Sequence, residues 1–235
     1  MNGAKRTEVI GDCTLYLGDC LDILLHLGPV DAVVSDVPYG INWKHSTRGS
    51  RAARLPAVRL AKEAISGDAL PFDPSPLLGF PEVILFGANH YHHLLPTGKW
   101  HAWDKLHGWD AHDSTSDVEF IWQKGKPGKS RIISHLWKGV QQDSEKGSPR
   151  FHQSQKPVKV MQWCLALVPH AHIILDPFCG SGSTGVACIK MGRCFIGIEI
   201  QPAYFDIACR RIEDACRQPD MFIERPAPAK QEAML

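Results

Sequence analysis

The 235-residue sequence predicts an α/β fold: a mostly parallel, twisted, doubly wound sheet with helices on both faces. Three observations carry that expectation. Short apolar runs alternate with segments of helical period, the order produced by strand–helix–strand units. Two of the runs are nearly continuous in Val, Ile and Leu, as suits strands covered on both faces. Two unusual stretches, VVSDVPYG at 33–40 and ILDPFCGSGSTG at 174–185, each emerge from such a run, and doubly wound sheets hold their ligands at that end of a strand.

The expected strands are 14–17, 32–35, 82–86, 99–103, 117–122, 172–175 and 194–198. Helical patterns fall at 20–27, 156–167, 184–191 and 202–217. The last is the clearest, because Phe205, Ala208, Cys209 and Ile212 share a face while Arg210, Arg211, Glu213 and Asp214 fall mainly elsewhere. Segments 42–68, 107–115 and 124–155 do not read as core. The expected organisation is one domain over 1–220 with inserts at about 42–68 and 124–150, and a loose tail at 221–235 with Pro226 and Pro228 among alanines.

A formal net charge of +1 excludes an overall basic protein, so contact with a polyanion has to come from local clusters of Lys and Arg. Eight cysteines without a Cys-x-x-Cys pair, and no apolar signal at the amino end, imply reduced thiols in a soluble cytoplasmic protein. No apolar run approaches the ~20 residues of a membrane-spanning helix.

In the second stretch a strand ends at Asp176, a tight turn contains Gly180 and Gly182, and Ser183-Thr184 open a helix. Such a turn brings backbone N–H groups close to a ligand. It is not a P-loop, since no Gly-Lys-Ser/Thr follows, and it lacks the complete Gly-x-Gly-x-x-Gly fingerprint. One strand later, FIGIEI puts Glu199 at a carboxyl end, where a carboxylate accepts hydrogen bonds from both hydroxyls of a ribose. The spacing is that of one strand–helix–strand unit of a Rossmann-like fold.

Asp36-Val37-Pro38-Tyr39 and DPFCGSGST at 176–184 together resemble the S-adenosylmethionine-dependent DNA amino-methyltransferases, whose catalytic motif is Asp-Pro-Pro-Tyr or a close variant. The order, catalytic motif first and cofactor turn last, is similar to the circularly permuted β class. LGDCLDIL at 17–24 and HQSQKP at 152–157 extend the likeness over most of the chain, except 42–68 and the tail. The resemblance implies a class I methyltransferase fold, S-adenosyl-L-methionine as cofactor and double-stranded DNA as partner, with no membrane contact and a monomeric or homodimeric state.

By that resemblance Asp19 receives the adenine amino group of the cofactor and Glu199 its ribose. Asp36, Asp176, Phe178, Gly180, Gly182, Ser183 and Thr184 line the cofactor. Ser154, Gln155 and Lys156 close over the methionine end, where Lys156 pairs with the carboxylate.

A base buried in a duplex has to be flipped out for chemistry on its amine, and Tyr39 offers a face for stacking it. Asp36 accepts one amine hydrogen and the Val37 carbonyl the other, so that positioning is the main catalytic device. The family usually has proline where this chain has Val37, which removes one backbone restraint and adds an N–H. Asp36 favours adenine N6 as the target, since relatives acting on cytosine N4 generally carry Ser there. Cytosine N4, an RNA target, and a non-catalytic module that binds cofactor and DNA are the alternatives.

Lys44, Arg48, Arg51, Arg54 and Arg59, with Lys62, form a basic run without an intervening acid, suited to phosphate contact. A second candidate DNA surface lies at 124–150, where Lys126, Lys129, Arg131, Lys138 and Arg150 mix with His135, Trp137, Gln141 and Gln142 as potential base readers. His90, His92, His93, His101, His107 and His112 lack the companions of a zinc site, and no metal is expected. Trp100, Trp103 and Trp109 read as packing residues.

Overall fold

The computed structural model describes residues 3–42, 67–109, 116–138, 141–145, 151 and 154–217. Within them, strands β1 (Arg6–Ile10), β2 (Cys13–Leu17), β3 (Ala32–Ser35), β4 (Glu82–Phe86), β5 (Gly98–Asp104), β6 (Val118–Lys124), β7 (Ile132–Ser134), β10 (Ile173–Asp176) and β11 (Cys194–Glu199) form one sheet in the order β1-β2-β11-β10-β3-β4-β6-β5-β7. The five strands from β2 to β4 in that order are mutually parallel. Strands β8 (Trp137–Lys138) and β9 (Gln141–Gln142) pair as a separate short hairpin. Helices are α1 (Cys20–Leu24), α2 (Val158–Ala166), α3 (Ser183–Lys190) and α4 (Pro202–Arg217).

The continuous apolar runs are explained by a sheet buried on both sides. Along a strand alternate side chains point to opposite faces. In β3, Ala32 and Val34 join the core shared with α2, α3 and α4, whereas Val33 joins the opposite core with Ile23 of α1. Strands β10 and β4 divide likewise, Ile174 and Ile84 to one side, Leu175 and Leu85 to the other.

Several expectations need correction. Strand β1 was not foreseen; its side chains are mostly exposed, so it lacks the apolar alternation of a core strand, and pairing with β2 through the Gly11–Asp12 turn makes it. Segment 124–155 contains strands β7, β8 and β9, and β7 extends the main sheet beside β5. Helix α1 stops at Leu24 rather than 27, because Leu21 and Leu25 are exposed and only Ile23 gives it a buried anchor. Helix α2 begins at Val158 rather than 156, because Pro157 is its extended N-cap and a residue before proline is pushed out of helical conformation. Lys156 therefore stands off the helix. Trp103 is buried as expected, but Trp109 is exposed.

Among the described residues no helix is long and apolar enough to cross a membrane, and all eight cysteines are free thiols. Most of segment 42–68 and the tail beyond 217 lie outside the described residues.

Helix α3 lies close against the sheet at Gly185, where an added Cβ would fall 2.6 Å from Ile212 Cδ1 and 2.8 Å from the Phe195 ring. Gly185→Ala is expected to destabilise the fold by ~1–3 kcal/mol through overpacking, read as a lower urea midpoint at unchanged slope.

Candidate active site

The parallel strands deliver their carboxyl ends to one edge of the sheet. Strand β2 leads to Asp19, β11 ends at Glu199, β10 at Asp176, and β3 runs into Asp36. Strand β6 is antiparallel to β4, so its first residues, including Glu119, arrive at this same edge. The two stretches singled out in the sequence thus lie on neighbouring strands, β3 and β10, with Val33 beside Leu175.

Asp176 joins them physically. Its Oδ1 accepts hydrogen bonds from Ser35 Oγ (2.7 Å) and the Phe178 N–H (3.1 Å), and its Oδ2 accepts from the Thr184 hydroxyl. Burial raises this carboxyl to about 6, against the pull of the three donors and with Asp36 adding to the rise. Asp176 and Thr184, expected to line the cofactor, are buried and bonded to each other. Ser183 is also buried, its Oγ accepting from Arg211 Nη1 (3.2 Å), which further bonds the Ser181 carbonyl (2.7 Å) and hydroxyl (2.9 Å).

Gly182, the N-cap of α3, has a left-handed φ of 79° and lies so close to α4 that a Cβ would come 3.0 Å from that of Ala208. Gly180 differs: a Cβ there would meet nothing within 4 Å, so open space fronts the turn. The Gly180 N–H donates to Glu199 Oε2 (2.9 Å) and the Gln201 N–H to Oε1 (2.8 Å). Burial raises the Glu199 carboxyl while these N–H groups oppose the rise. A carboxylate has about four acceptor positions, so these bonds do not exhaust it. The Gly18 N–H donates to the Glu199 carbonyl (2.9 Å), bringing Asp19 alongside. Asp19 is exposed and N-caps α1 through Leu21 N–H (2.9 Å). Phe178 is half-buried, edge-on to Phe72 at 5.8 Å.

At the other stretch, Asp36 lies in a charged cluster. Lys156 Nζ is 2.7 Å from Asp36 Oδ2 and 2.9 Å from Glu119 Oε1. Tyr39 Oη is 2.7 Å from Asp36 Oδ1 and 2.5 Å from Glu119 Oε1. Burial raises the Asp36 carboxyl, Lys156 counteracts and Glu119 reinforces it. For Glu119 burial is outweighed by Lys156 and Lys105, so its carboxyl lies below the usual range. Burial would lower Lys156, but the two carboxylates raise it, while burial followed by the same carboxylates raises the Tyr39 phenol. Lys156, expected at the methionine end of the cofactor, here bridges Asp36 and Glu119.

Tyr39 is half-buried and stacked on His90 (5.2 Å between centroids, 15° between planes), so the imidazole already covers the ring expected to receive a base. Its close approach requires Gly87, where a Cβ would fall 2.1 Å from Tyr39 Cε1. The motif backbone is held by Asp68, whose Oδ1 accepts N–H bonds from Tyr39 (3.1 Å), Gly40 (2.9 Å) and Ile41 (3.3 Å). Val37 and Pro38 are buried.

Sequence reading missed Glu119, Asp68 and Arg211. Only Glu119 left a trace: a carboxylate within an otherwise apolar strand.

In the second candidate DNA surface Lys126, Lys129, Arg131 and Gln141 are exposed, and three of its residues, His135 among them, are buried. Trp137 is buried, with its indole N–H donating to the Gln155 carbonyl (3.0 Å), and Lys138 is buried with its ammonium on Asp117. Gln155 is buried too, its Oε1 accepting from the Phe151 N–H (3.0 Å), whereas Ser154 is half-buried. Lys129 and Arg131, with Lys99, line a groove of about 470 Å³ against Trp163, and Gln123 in that groove lies four residues along β6 from Glu119, about 13 Å. Lys44, Arg48, Arg51, Arg54 and Arg59 lie outside the described residues. Among the described residues no three His, Cys, Asp or Glu side chains converge as for a metal.

Residues 95–210 match the N6/N4-type DNA methylase family model. That match covers just under half of the chain. The chain is 46% identical over 63 residues to the type II methyltransferase M.ScaI of Streptomyces caespitosus, covering 26% of this chain and 21% of that protein. It is 26% identical over 198 residues to M.Cfr9I of Citrobacter freundii, covering 75% and 64%. The aligned parts thus span between about a fifth and two thirds of these relatives. Among solved structures, the cytosine-N4-specific PvuII DNA methyltransferase superposes with a TM-score of 0.54 at 13% identity, over 88% of this chain and 89% of that one. A putative DNA modification methylase of Thermus thermophilus, solved with S-adenosyl-L-methionine, gives 0.51 at 17% identity over 86% and 93%. These likenesses show the fold alone, a Rossmann-like one of the class I methyltransferase type.

Because Asp176 in the folded domain binds its proton more tightly than in the unfolded chain, its contribution to stability is full below about pH 4 and is lost as pH rises towards 6. Asp176→Asn has no such linkage. Between pH 4 and 7 the wild type is expected to lose up to ~3 kcal/mol relative to that variant, measured by urea unfolding of both proteins across the range.

Proposed function

We propose that the chain is a site-specific DNA methyltransferase of the permuted β class, using S-adenosyl-L-methionine to methylate adenine N6 in double-stranded DNA by base flipping. One observation carries the reading: the Asp36 corner and the glycine turn share one sheet edge, tied by the Ser35–Asp176–Thr184 hydrogen bonds. Two reactants held on adjacent strand ends of a rigid sheet need little further ordering to meet, and such ordering is a large part of a bimolecular barrier.

The adenosine half of the cofactor fits these residues. Open space before Gly180, the remaining acceptor capacity of Glu199, the exposed Asp19 carboxylate and the half-buried Phe178 ring offer a cradle, ribose acceptors, an amine acceptor and an apolar contact. When bound, the cofactor supplies an electrophilic methyl on a sulfonium sulfur. The chain then has to orient the amine and stabilise positive charge growing on its nitrogen. Asp36 supplies a carboxylate for one N–H and the Val37 carbonyl accepts the other. Holding a preoriented carboxylate in a partly dehydrated site makes that stabilisation stronger than in water.

Tyr39 takes a double part in this reading, steadying Asp36 through its hydroxyl while its ring receives the base. A base stacking there displaces His90 from the ring. Asp at position 36 supports adenine over cytosine. The basic run from Lys44 to Arg59 follows the motif directly in sequence and is proposed as a phosphate contact. The whole of 1–220 is proposed as one catalytic domain.

Incubation of the purified protein with duplex DNA and methyl-labelled cofactor, followed by digestion to nucleosides, is expected to yield N6-methyladenine. Label confined to 4-methylcytosine would overturn the target, and no label at all the activity. Asp36→Ala is expected to lower the rate by about 10²- to 10³-fold with cofactor affinity kept within threefold.

Glu199→Gln, which keeps the shape but loses charge-assisted bonds worth ~1.5–3 kcal/mol, should weaken cofactor binding about 10- to 100-fold by calorimetry, with the thermal midpoint as a control for folding.

A further inference from the structure

The reaction proposed above employs Asp36 but leaves its neighbours, the buried Lys156 and the half-buried Glu119, without a task. Both are expensive to bury, since a charge withdrawn from water is tolerated only when well paired. Their contacts are specific: one ammonium bridges two carboxylates from different elements, and one phenol bridges the same two carboxylates.

Counting protons sharpens the point. Lys156 has three N–H groups, and three acceptors surround it: Asp36 Oδ2 at 2.7 Å, Glu119 Oε1 at 2.9 Å and Tyr39 Oη at 3.3 Å. Tyr39 has a single O–H but faces a carboxylate oxygen on each side, Asp36 at 2.7 Å and Glu119 at 2.5 Å. A phenol donates once. If its proton goes to Glu119, the contact with Asp36 Oδ1 is left without a hydrogen, and one added to Asp36 there is donated to the phenolic oxygen. The cluster therefore has a place for one additional proton, at Asp36 Oδ1.

We propose that Glu119 is a positioning residue of the methyl transfer: through Tyr39 Oη and Lys156 Nζ it builds at Asp36 the socket that receives the proton released by the target amine. This rests on the methyltransferase reading and adds the fate of the surplus proton to it. After the nitrogen has gained its methyl group, an N–H bond breaks, its electron pair stays on nitrogen, and an O–H bond forms at Asp36 Oδ1. That hydrogen then points to Tyr39 Oη, while the phenol keeps its own hydrogen and donates it to Glu119. No further reactant is required.

The groups that face Asp36 support this division of labour. From the segment before α2 comes Lys156, from β6 Glu119, from the end of β10 Asp176, and from the motif itself Tyr39, with His90 stacked behind it. Tyr91 lies within electrostatic reach of both Asp36 and Glu119, and Lys105 acts on Glu119. Of these, Glu119 adds to the proton affinity of Asp36, and Lys156 and Tyr39 reduce it. Removing the Glu119 charge alone therefore has a defined sign.

The test follows the Asp36 carboxyl carbon by NMR in ¹³C-aspartate-labelled full-length protein, with Asp36→Asn assigning the signal. In Glu119→Gln the Asp36 titration midpoint is expected to fall by about one pH unit, a tenfold change in acidity. In the DNA assay the acid limb of the rate profile should shift by the same amount, with cofactor affinity unchanged. A midpoint that stays at the wild-type value would overturn the role of Glu119, whatever the activity. Wild-type protein that methylates no nucleic acid, yet shows the midpoint shift, would overturn the methyltransferase reading and with it the task assigned to the socket. Should Glu119→Gln fail to fold, Glu119→Asp withdraws the same charge by one methylene; a smaller fall in midpoint is expected, and no fall overturns the proposal.

Discussion

The buried carboxylate of Asp176 is the constraint on which the rest of the site depends. Burying such a group is costly unless hydrogen bonds replace its lost water, and its three donors come from three places: the end of β3, the turn after β10 and the first turn of α3. Moving any of these away would leave a buried polar group unpaired. The arrangement therefore sets the distance between the Asp36 corner and the glycine turn, because Ser35 immediately precedes Asp36 and Thr184 closes the turn. Sheet pairing brings β3 and β10 together, and Asp176 fixes what their ends do.

Around that anchor the site is built from charges placed by tertiary contacts. Arg211 of α4 reaches Ser181 and Ser183 and also pairs with Glu145 at 3.4 Å, while Glu145 caps α2 by accepting from the Val158 N–H (2.8 Å). Helices α2, α3 and α4 are thus joined through one guanidinium and one carboxylate. Asp68 collects three consecutive backbone N–H groups of the motif loop, a role that a side chain of another residue type cannot fill as well, since a carboxylate is an acceptor only. Lys156 completes the set, freed by Pro157 from the helix it precedes.

Legibility in the sequence followed the range of the interactions. Strands 32–35 and 82–86 and helix 202–217 were read to the residue, because burial on two faces or one face writes itself into local periodicity. Asp36, Glu199 and the glycine turn were legible because each sits within a few residues of the strand end that positions it. Edge strands β1 and β7 were not, since exposed side chains carry no pattern and only pairing makes them strands. Trp137 and Lys138 looked like groups that touch a base and a phosphate, yet the same aromatic and cationic types also pack and pair inside a protein, as these two do with Gln155 and Asp117.

By itself the sequence determined the alternation of elements, the two strand-end motifs and the identity of the carboxylates offered there, since these depend on neighbours along the chain. Tertiary structure alone decided which groups those carboxylates meet. Glu119 lies 80 residues from Tyr39, Ser35 lies 141 from Asp176, and Lys156 lies 117 from Tyr39. Electrostatic coupling acts through space and falls with distance between atoms rather than between positions in the chain, so the surroundings of Asp36 became readable only once the sheet had brought its strand ends together.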